Sequence, residues 1–188
     1  LSFLKNRGAS GELRIADVGT GSGAIACALA SELPELRVYA GDISGGALDV
    51  AMGNAKSNGL ETQIRFVEGD GLQPLIAANG DSPFDAVVSN PPYITDVEFP
   101  SVMREVREWE PRHALTAGPD GLEVIGPLLE AAAKGGLKPG GGLFVEIGSR
   151  EQAERVAEIL ESTRFVDVRI RDDYAGKARV VVASKGSV

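Results

Sequence analysis

The stretch Ile15-Ala16-Asp17-Val18-Gly19-Thr20-Gly21-Ser22-Gly23-Ala24 decides how this chain is read. It joins a short β-type apolar run, Leu13–Val18, to a helical pattern over residues 24–33, where Ile25, Leu29 and Leu33 recur at i, i+4 and i+8. Glycines at such a junction let the backbone adopt positive φ and approach a ligand closely. Gly19, Gly21 and Ala24 loosely fit the dinucleotide fingerprint G-x-G-x-x-G/A, a weak signal alone. The same residues fit G-x-G-x-G with an acidic residue two positions before the first glycine. That pattern suits a nucleoside with a charged amino-acid tail, because Asp17 can accept hydrogen bonds from an ammonium group and would repel a pyrophosphate. A plain strand–helix turn is the third reading, although three alternating glycines exceed what a turn needs.

Outward from this loop, strand-like and helical patterns alternate. Residues 37–42 form a second strand candidate, and Ser44 is placed to cap a helix with Leu48, Ala51, Met52 and Ala55 on one face, closing near Asn58-Gly59. Residues 64–68 and 84–90 read as the third and fourth strands. Asp120 is placed to cap a helix carrying Leu122, Ile125, Leu129 and Ala132, which Pro127 should kink or restart. Lys138-Pro139-Gly140-Gly141-Gly142 reads as a turn before a fifth strand at 143–147, and residues 150–163 as another amphipathic helix. Residues 165–170 and 179–183 are the last strand candidates, joined by only eight residues. The pattern predicts an α/β, doubly wound, seven-stranded, mostly parallel sheet covered on both faces. The last two strands should be antiparallel, since their link is too short for a crossover helix. Only residues 91–119 lack clear periodicity, and so long a loop in a compact domain is usually functional.

Composition narrows the classes. At about 150 residues per domain, 188 residues predict one domain. Hydrophobic residues at 43% and charged residues at 24% argue against disorder. With 19 Lys+Arg against 27 Asp+Glu the net charge is −8, no basic footprint for nucleic acid, though a local patch can hide in an acidic total. No apolar run approaches the roughly 20 residues that span a bilayer. Lys5 and Arg7 precede Gly8-Ala9-Ser10-Gly11 rather than an apolar stretch, so no secretory leader is expected. A single Cys27 permits no internal disulfide and fits a reducing, cytoplasmic compartment. The first residue is Leu1 rather than Met, so a fragment of a longer protein is one expectation.

Further candidate ligand contacts sit at strand ends. Asp42, 23 residues after Gly19, can accept both ribose hydroxyls of an adenosine lying over the loop. It would serve NAD and S-adenosylmethionine equally, and it also reads as a charge at a helix N-terminus. Asp70, expected to end the third strand, can reach an adenine amino group or, before Gly71, be a turn residue. The fourth strand ends in Ser89-Asn90-Pro91-Pro92-Tyr93, at the carboxyl edge where open α/β sheets bind ligands. Two prolines hold a stiff extended backbone, donate no N–H and leave carbonyl oxygens free to accept. Asn90 adds a side-chain acceptor and Tyr93 a flat ring. Together they suit a planar –NH2 group, in an amide or a nucleobase; the alternative is a rigid proline turn with a buried Asn.

Gly19-Thr20-Gly21-Ser22-Gly23 with Asn90-Pro91-Pro92-Tyr93 resembles the S-adenosylmethionine-dependent methyltransferases that act on a planar nitrogen. More specifically, the chain resembles the HemK (PrmC) family, which methylates the glutamine of the Gly-Gly-Gln motif in class I peptide-chain release factors. Val106-Arg107-Glu108-Trp109-Glu110-Pro111, Ala114-Leu115, Asp120-Gly121-Leu122, Glu146-Ile147-Gly148 and Asp172-Asp173-Tyr174-Ala175-Gly176 look like later signatures of that family, so the resemblance runs from about residue 13 to 183. It implies a Rossmann-like class I methyltransferase fold with residues 1–188 as one methyltransferase domain. The implied cofactor is S-adenosyl-L-methionine, leaving as S-adenosyl-L-homocysteine and held by Asp17, Gly19, Thr20, Gly21, Ser22, Gly23, Asp42, Ile43, Asp70, Gly71 and Asn90. It also implies catalysis by Asn90, Pro91, Pro92 and Tyr93, the Asn90 oxygen and Pro91 carbonyl accepting the two amide hydrogens while Tyr93 and Pro92 pack on the amide face. The implied partner is a release factor, with no metal, no membrane and no direct nucleic acid.

Two departures stand out. The family's helical N-terminal domain and linking hairpin are expected to be absent here, and Gly71-Leu72 stands where some members carry an aromatic. Enzymes methylating adenine N6 in DNA or guanine N2 in ribosomal RNA share N-P-P-Y, so they remain alternatives, as do a nicotinamide-binding Rossmann domain and a degenerate fold used only for binding. The Trp109–Leu115 match and the acidic balance favour a protein substrate. Cys27, Trp109 and His113 do not make a metal-ligand cluster.

Overall fold

Seven apolar runs pair into one sheet of order β3-β2-β1-β4-β5-β7-β6. The computed structural model describes residue 3 and residues 12–187, so the leader reading at residues 5–11 lies outside the described residues. The strands are β1 (Leu13–Val18), β2 (Leu36–Asp42), β3 (Ile64–Glu68), β4 (Phe84–Ser89), β5 (Leu137–Glu146), β6 (Phe165–Asp172) and β7 (Ala178–Lys185). The helices are α1 (Ala24–Glu32), α2 (Gly45–Ser57), α3 (Gln73–Ala78), α4 (Arg104–Trp109), α5 (Ile125–Ala131) and α6 (Arg150–Glu161). Strands β1 to β5 pair in parallel, and β7 runs antiparallel between β5 and β6. No helix intervenes between β6 and β7, whose link is only residues 173–177, shorter still than the eight expected.

Alternation along the central strands divides the core between the two faces. Ile15 and Ala86 pack on one face with Ala26 and Ala30 of α1 and Ala55 of α2. Ala16, Val18 and Val87 pack on the other with Leu75 of α3, Ile125 and Leu129 of α5 and Val156 of α6. Burial on both faces explains why these strands read as continuous apolar runs. From β1 the chain winds first to β2 on one side, then to β4 on the other. The order therefore reverses between β1 and β4, which opens a crevice at their carboxyl ends.

Several local expectations are corrected. In α1 the buried positions are Ala26 and Ala30, not Ile25 and Leu29, which are partly buried, because close packing on the sheet selects small side chains. In α2, Leu48, Ala51 and Ala55 are buried but Met52 is 43% exposed. Asp120 caps only a turn, accepting from the Leu122 N–H at 3.0 Å. The helix begins later, at Ile125, so Pro127 falls in its first turn, where no intrahelical donor is needed and no kink results. Residues 138–141 form a bulge inside β5: Phe84 pairs with Leu137 and Ala86 with Gly142, with Gly140 at φ +71°. The fourth strand stops at Ser89, one residue before Asn90. Among the described residues, no helix is long and apolar enough to cross a membrane.

Phe84 is fully buried and meets Tyr39 edge-on with ring centroids 5.4 Å apart. Phe84→Ala should cost about 3–5 kcal/mol of folding stability through lost burial and a residual cavity. Chemical denaturation checks this; a loss under about 1 kcal/mol would mean the sheet collapses around the gap.

Candidate active site

Beyond β1 the chain turns through Gly19, Gly21 and Gly23 at φ +70°, +55° and +78°. Among the described residues, a Cβ at Gly19 or Gly21 would meet nothing within 4 Å, so their requirement is conformational. Gly23 differs: its Cβ would lie 3.0 Å from that of Ala51, and it lets α1 and α2 approach. The Ser22 carbonyl likewise accepts from Asn54 Nδ2 at 2.9 Å. Gly19 and Gly21 thus leave room for a ligand, while Ser22 and Gly23 serve helix packing.

Asp17 lies beneath this loop at 1% exposure. Its Oδ2 accepts from Thr20 Oγ1 at 2.7 Å and from the Ala26 N–H at 3.1 Å. Among the described residues its Oδ1, also buried, has no hydrogen-bond partner. Burial pushes the carboxyl up to about 6; the Thr20 and Ala26 bonds oppose that rise, and the Asp42 charge adds to it. A buried carboxylate oxygen without a donor is costly and suits a cationic partner.

Asp42 fastens the loop to β2. Its Oδ2 accepts from the Gly21 N–H and its Oδ1 from the Ser44 N–H, both at 2.9 Å. A carboxylate oxygen accepts two bonds, so capacity remains on both. Ser44 caps α2 as expected, accepting from the Ala47 N–H at 3.2 Å. Ile43, just past Asp42, is 61% exposed. Asp70 does not end β3, which stops at Glu68; it is an exposed residue of the following bend, beside Gly71 at φ +67°.

Across the crevice, the buried Ser89 hydroxyl donates to the Val18 carbonyl at 2.7 Å and ties the end of β4 to that of β1. Asn90 is exposed, not buried as the proline-turn alternative required. Pro91 is buried, and Pro92 and Tyr93 are half-buried. The Tyr93 ring packs on Gly148, where a Cβ would come within 2.6 Å of it. Burial and Glu146 raise the Tyr93 hydroxyl, and the Arg179 guanidinium beside it opposes them. Tyr93 also borders a cleft of about 470 Å3 lined by Thr95, Glu98, Asp120, Ser149 and Arg155.

The structure therefore brings Asp17, Gly19, Gly21, Asp42 and Asn90 to one crevice. Asp70 and Gly71 lie beyond the end of β3, two strands from β1. His113 and Trp109 are exposed on the segment after Tyr93. Among the described residues, no group of three or more His, Cys, Asp or Glu could hold a metal ion. Sequence reasoning missed Gln152 and Arg179. Gln152 carried a signal, being a polar residue on the α6 face that buries Ala153, Val156 and Leu160.

Residues 1–118 match the model of the methyltransferase small domain. The chain belongs to that family. This methyltransferase-family chain is 46% identical over 170 residues to the release factor glutamine methyltransferase of Moorella thermoacetica, covering 90% of this chain and 58% of that protein. It is 47% identical over 160 residues to the one of Chlorobaculum tepidum, covering 85% and 53%. It thus spans little more than half the length of the curated relatives it matches. A methyltransferase from Pyrococcus furiosus shares the fold, with a TM-score of 0.66 at 21% identity over 99% of this chain and 81% of that one. The family resemblance read from the sequence agrees with these relatives.

Asp17 supplies a pH test. Folded, its carboxyl keeps its proton up to about pH 6; unfolded, only to about 3.8. The folded state then binds more protons between those values. The stabilising contribution is complete below pH 3.8, is lost as pH rises through 6, and is worth roughly 2–3 kcal/mol. The stability gap between the wild-type chain and Asp17→Asn should shift toward the variant between pH 4 and pH 7. Urea denaturation at both values checks it, and a pH-independent gap contradicts it.

Proposed function

We propose that this chain is the catalytic part of a protein methyltransferase that transfers a methyl group from S-adenosylmethionine to the side-chain amide nitrogen, N5, of the glutamine in the Gly-Gly-Gln motif of class I release factors. One observation carries the reading: the unpartnered Asp17 oxygen and the exposed Asn90 amide lie at the carboxyl ends of adjacent strands, β1 and β4. The names of the relatives support the substrate. A cytoplasmic location and the absence of direct nucleic-acid binding belong to the same reading.

The residues present fit the cofactor. Among the described residues, Asp17 Oδ1 lacks the donor that an ammonium group would provide, and the space over Gly19 and Gly21 is open to an amino-acid tail. Asp42 retains lone pairs for the ribose hydroxyls, and Ile43 offers an exposed apolar side chain to the adenine. When bound, the cofactor supplies an electrophilic methyl group on a sulfonium. Everything else falls to the chain. An amide nitrogen is a poor nucleophile because its lone pair is delocalised into the carbonyl. The Asn90 Oδ1 and Pro91 carbonyl accept its two hydrogens, aim the nitrogen and favour the positive charge that develops on it. Preorganised dipoles of this kind are each worth roughly 2–4 kcal/mol. Among the described residues Asn90 forms no side-chain hydrogen bond, so its oxygen is available. The methylated nitrogen is strongly acidic and gives its proton to solvent, so no base is assigned.

Calorimetry should show S-adenosylhomocysteine binding more tightly than NAD. Asn90→Ala should lower the single-turnover rate by roughly a hundredfold or more while cofactor affinity changes far less. Tighter NAD binding, or an Asn90→Ala rate equal to wild type, overturns the reading.

A further inference from the structure

The stretch from Asn90 to Tyr93 cannot hold itself in place. Its two prolines donate no N–H, and both of their peptide bonds are trans, so its position depends on what grips its ends. The upstream grip is Ser89 on the Val18 carbonyl. Downstream, Ile94 is bonded through its N–H to the Leu115 carbonyl and through its carbonyl to the Ala117 N–H, while the Tyr93 carbonyl itself is held by a side chain 59 residues further along, Gln152.

Gln152 sits in the first turn of α6 at 7% exposure. Its Nε2 donates to the Tyr93 carbonyl at 3.2 Å and to the Gly121 carbonyl at 2.9 Å. Its Oε1 accepts from the Gly148 N–H at 2.8 Å. One planar amide thereby joins three backbone segments: the end of the proline stretch, the turn before α5 and the chain leaving β5. The orientation is unambiguous, because the reversed amide would set an oxygen against two carbonyls. The α6 N-cap fixes the backbone below it, with the Gln152 N–H donating to Ser149 Oγ at 3.1 Å. The surrounding glycines make the fit close. A Cβ at Gly121, itself at φ +71°, would collide with both Gln152 Nε2 and the Tyr93 carbonyl, and one at Gly148 with the Tyr93 ring.

We propose that Gln152 is a positioning residue for methyl transfer. By fixing the Tyr93 carbonyl it sets where Asn90 Oδ1 and the Pro91 carbonyl stand, without touching the substrate. The inference rests on the amide-methylation reading above. Acceptors of this kind must be held within about 0.5 Å, a tolerance a rigid segment meets only when both ends are fastened.

Two variants test it in the full chain. Gln152→Met keeps the length and removes the three hydrogen bonds of the side-chain amide. Gln152→Glu keeps an acceptor for the Gly148 N–H but, ionised, sets a carboxylate against two carbonyls; protonation returns one donor. With a Gly-Gly-Gln peptide and S-adenosylmethionine saturating, both should lower the single-turnover rate at least tenfold at pH 8, with S-adenosylhomocysteine affinity and peptide KM within about threefold of wild type. The Gln152→Glu rate should recover relative to wild type as pH falls, and the Gln152→Met rate should not. Amide exchange gives a readout independent of activity: the Ile94 N–H, bonded to the Leu115 carbonyl, should exchange faster in both variants while Val87 in the core does not. Unchanged rates, or rate and cofactor affinity falling together with core protection, overturn the positioning role. A wild-type chain that leaves the peptide unmethylated refutes the methylation reading instead, and the exchange at Ile94 then decides alone whether Gln152 grips the segment.

Discussion

Among the described residues, Asp17 at 1% exposure has one carboxylate oxygen bonded twice and the other not at all, and the groups that hold it are those of the proposed site. Thr20 can reach its Oδ2 because the chain turns back through Gly19, and the Ala26 N–H reaches it because α1 starts immediately after Gly23. Asp42 then fixes the same loop from the neighbouring strand through the Gly21 N–H. The turn at Gly19, the start of α1 and the pairing of β1 with β2 all bear on this one buried carboxyl. Burial pushes that carboxyl up, and a nearby cation would oppose the rise.

The second half of the proposed site is built on the opposite principle. Asn90 is exposed and, among the described residues, forms no side-chain hydrogen bond; the stiffness of Pro91-Pro92 and contacts outside the segment hold its backbone. Ser89 links it to β1, so the stretch that presents Asn90 is registered against the strand that buries Asp17. Gln152 links it to β5 and α6. Both halves meet where the strand order reverses, because only there do two neighbouring strands leave a crevice at their carboxyl ends.

Much of this was legible because it is local in sequence. The Asp17–Gly23 loop, Asp42 before a capped helix and Asn90–Tyr93 are each contiguous, and the link between β6 and β7 is too short for anything but a hairpin. What escaped depends on distant partners. The Lys138–Gly142 stretch is a turn by composition, yet Leu137 and Gly142 both pair with β4, so it is a bulge within a strand. Helix α3 has six residues, too few to show a period. In α1, Ile25 and Leu29 are strong apolar signals but are only partly buried and line an open pocket of about 270 Å3 with Val88 and Phe144, while Ala26 and Ala30 take the fully buried positions. Gln152 is a polar residue on a buried helical face; its meaning appears only once Tyr93, Gly121 and Gly148 are seen around it.

The most direct test of the account is mass spectrometry of a release-factor Gly-Gly-Gln segment after incubation with this chain and methyl-labelled S-adenosylmethionine. The account predicts one label, on the side-chain nitrogen of the glutamine. An unlabelled glutamine alongside methylated duplex DNA or ribosomal RNA would contradict it.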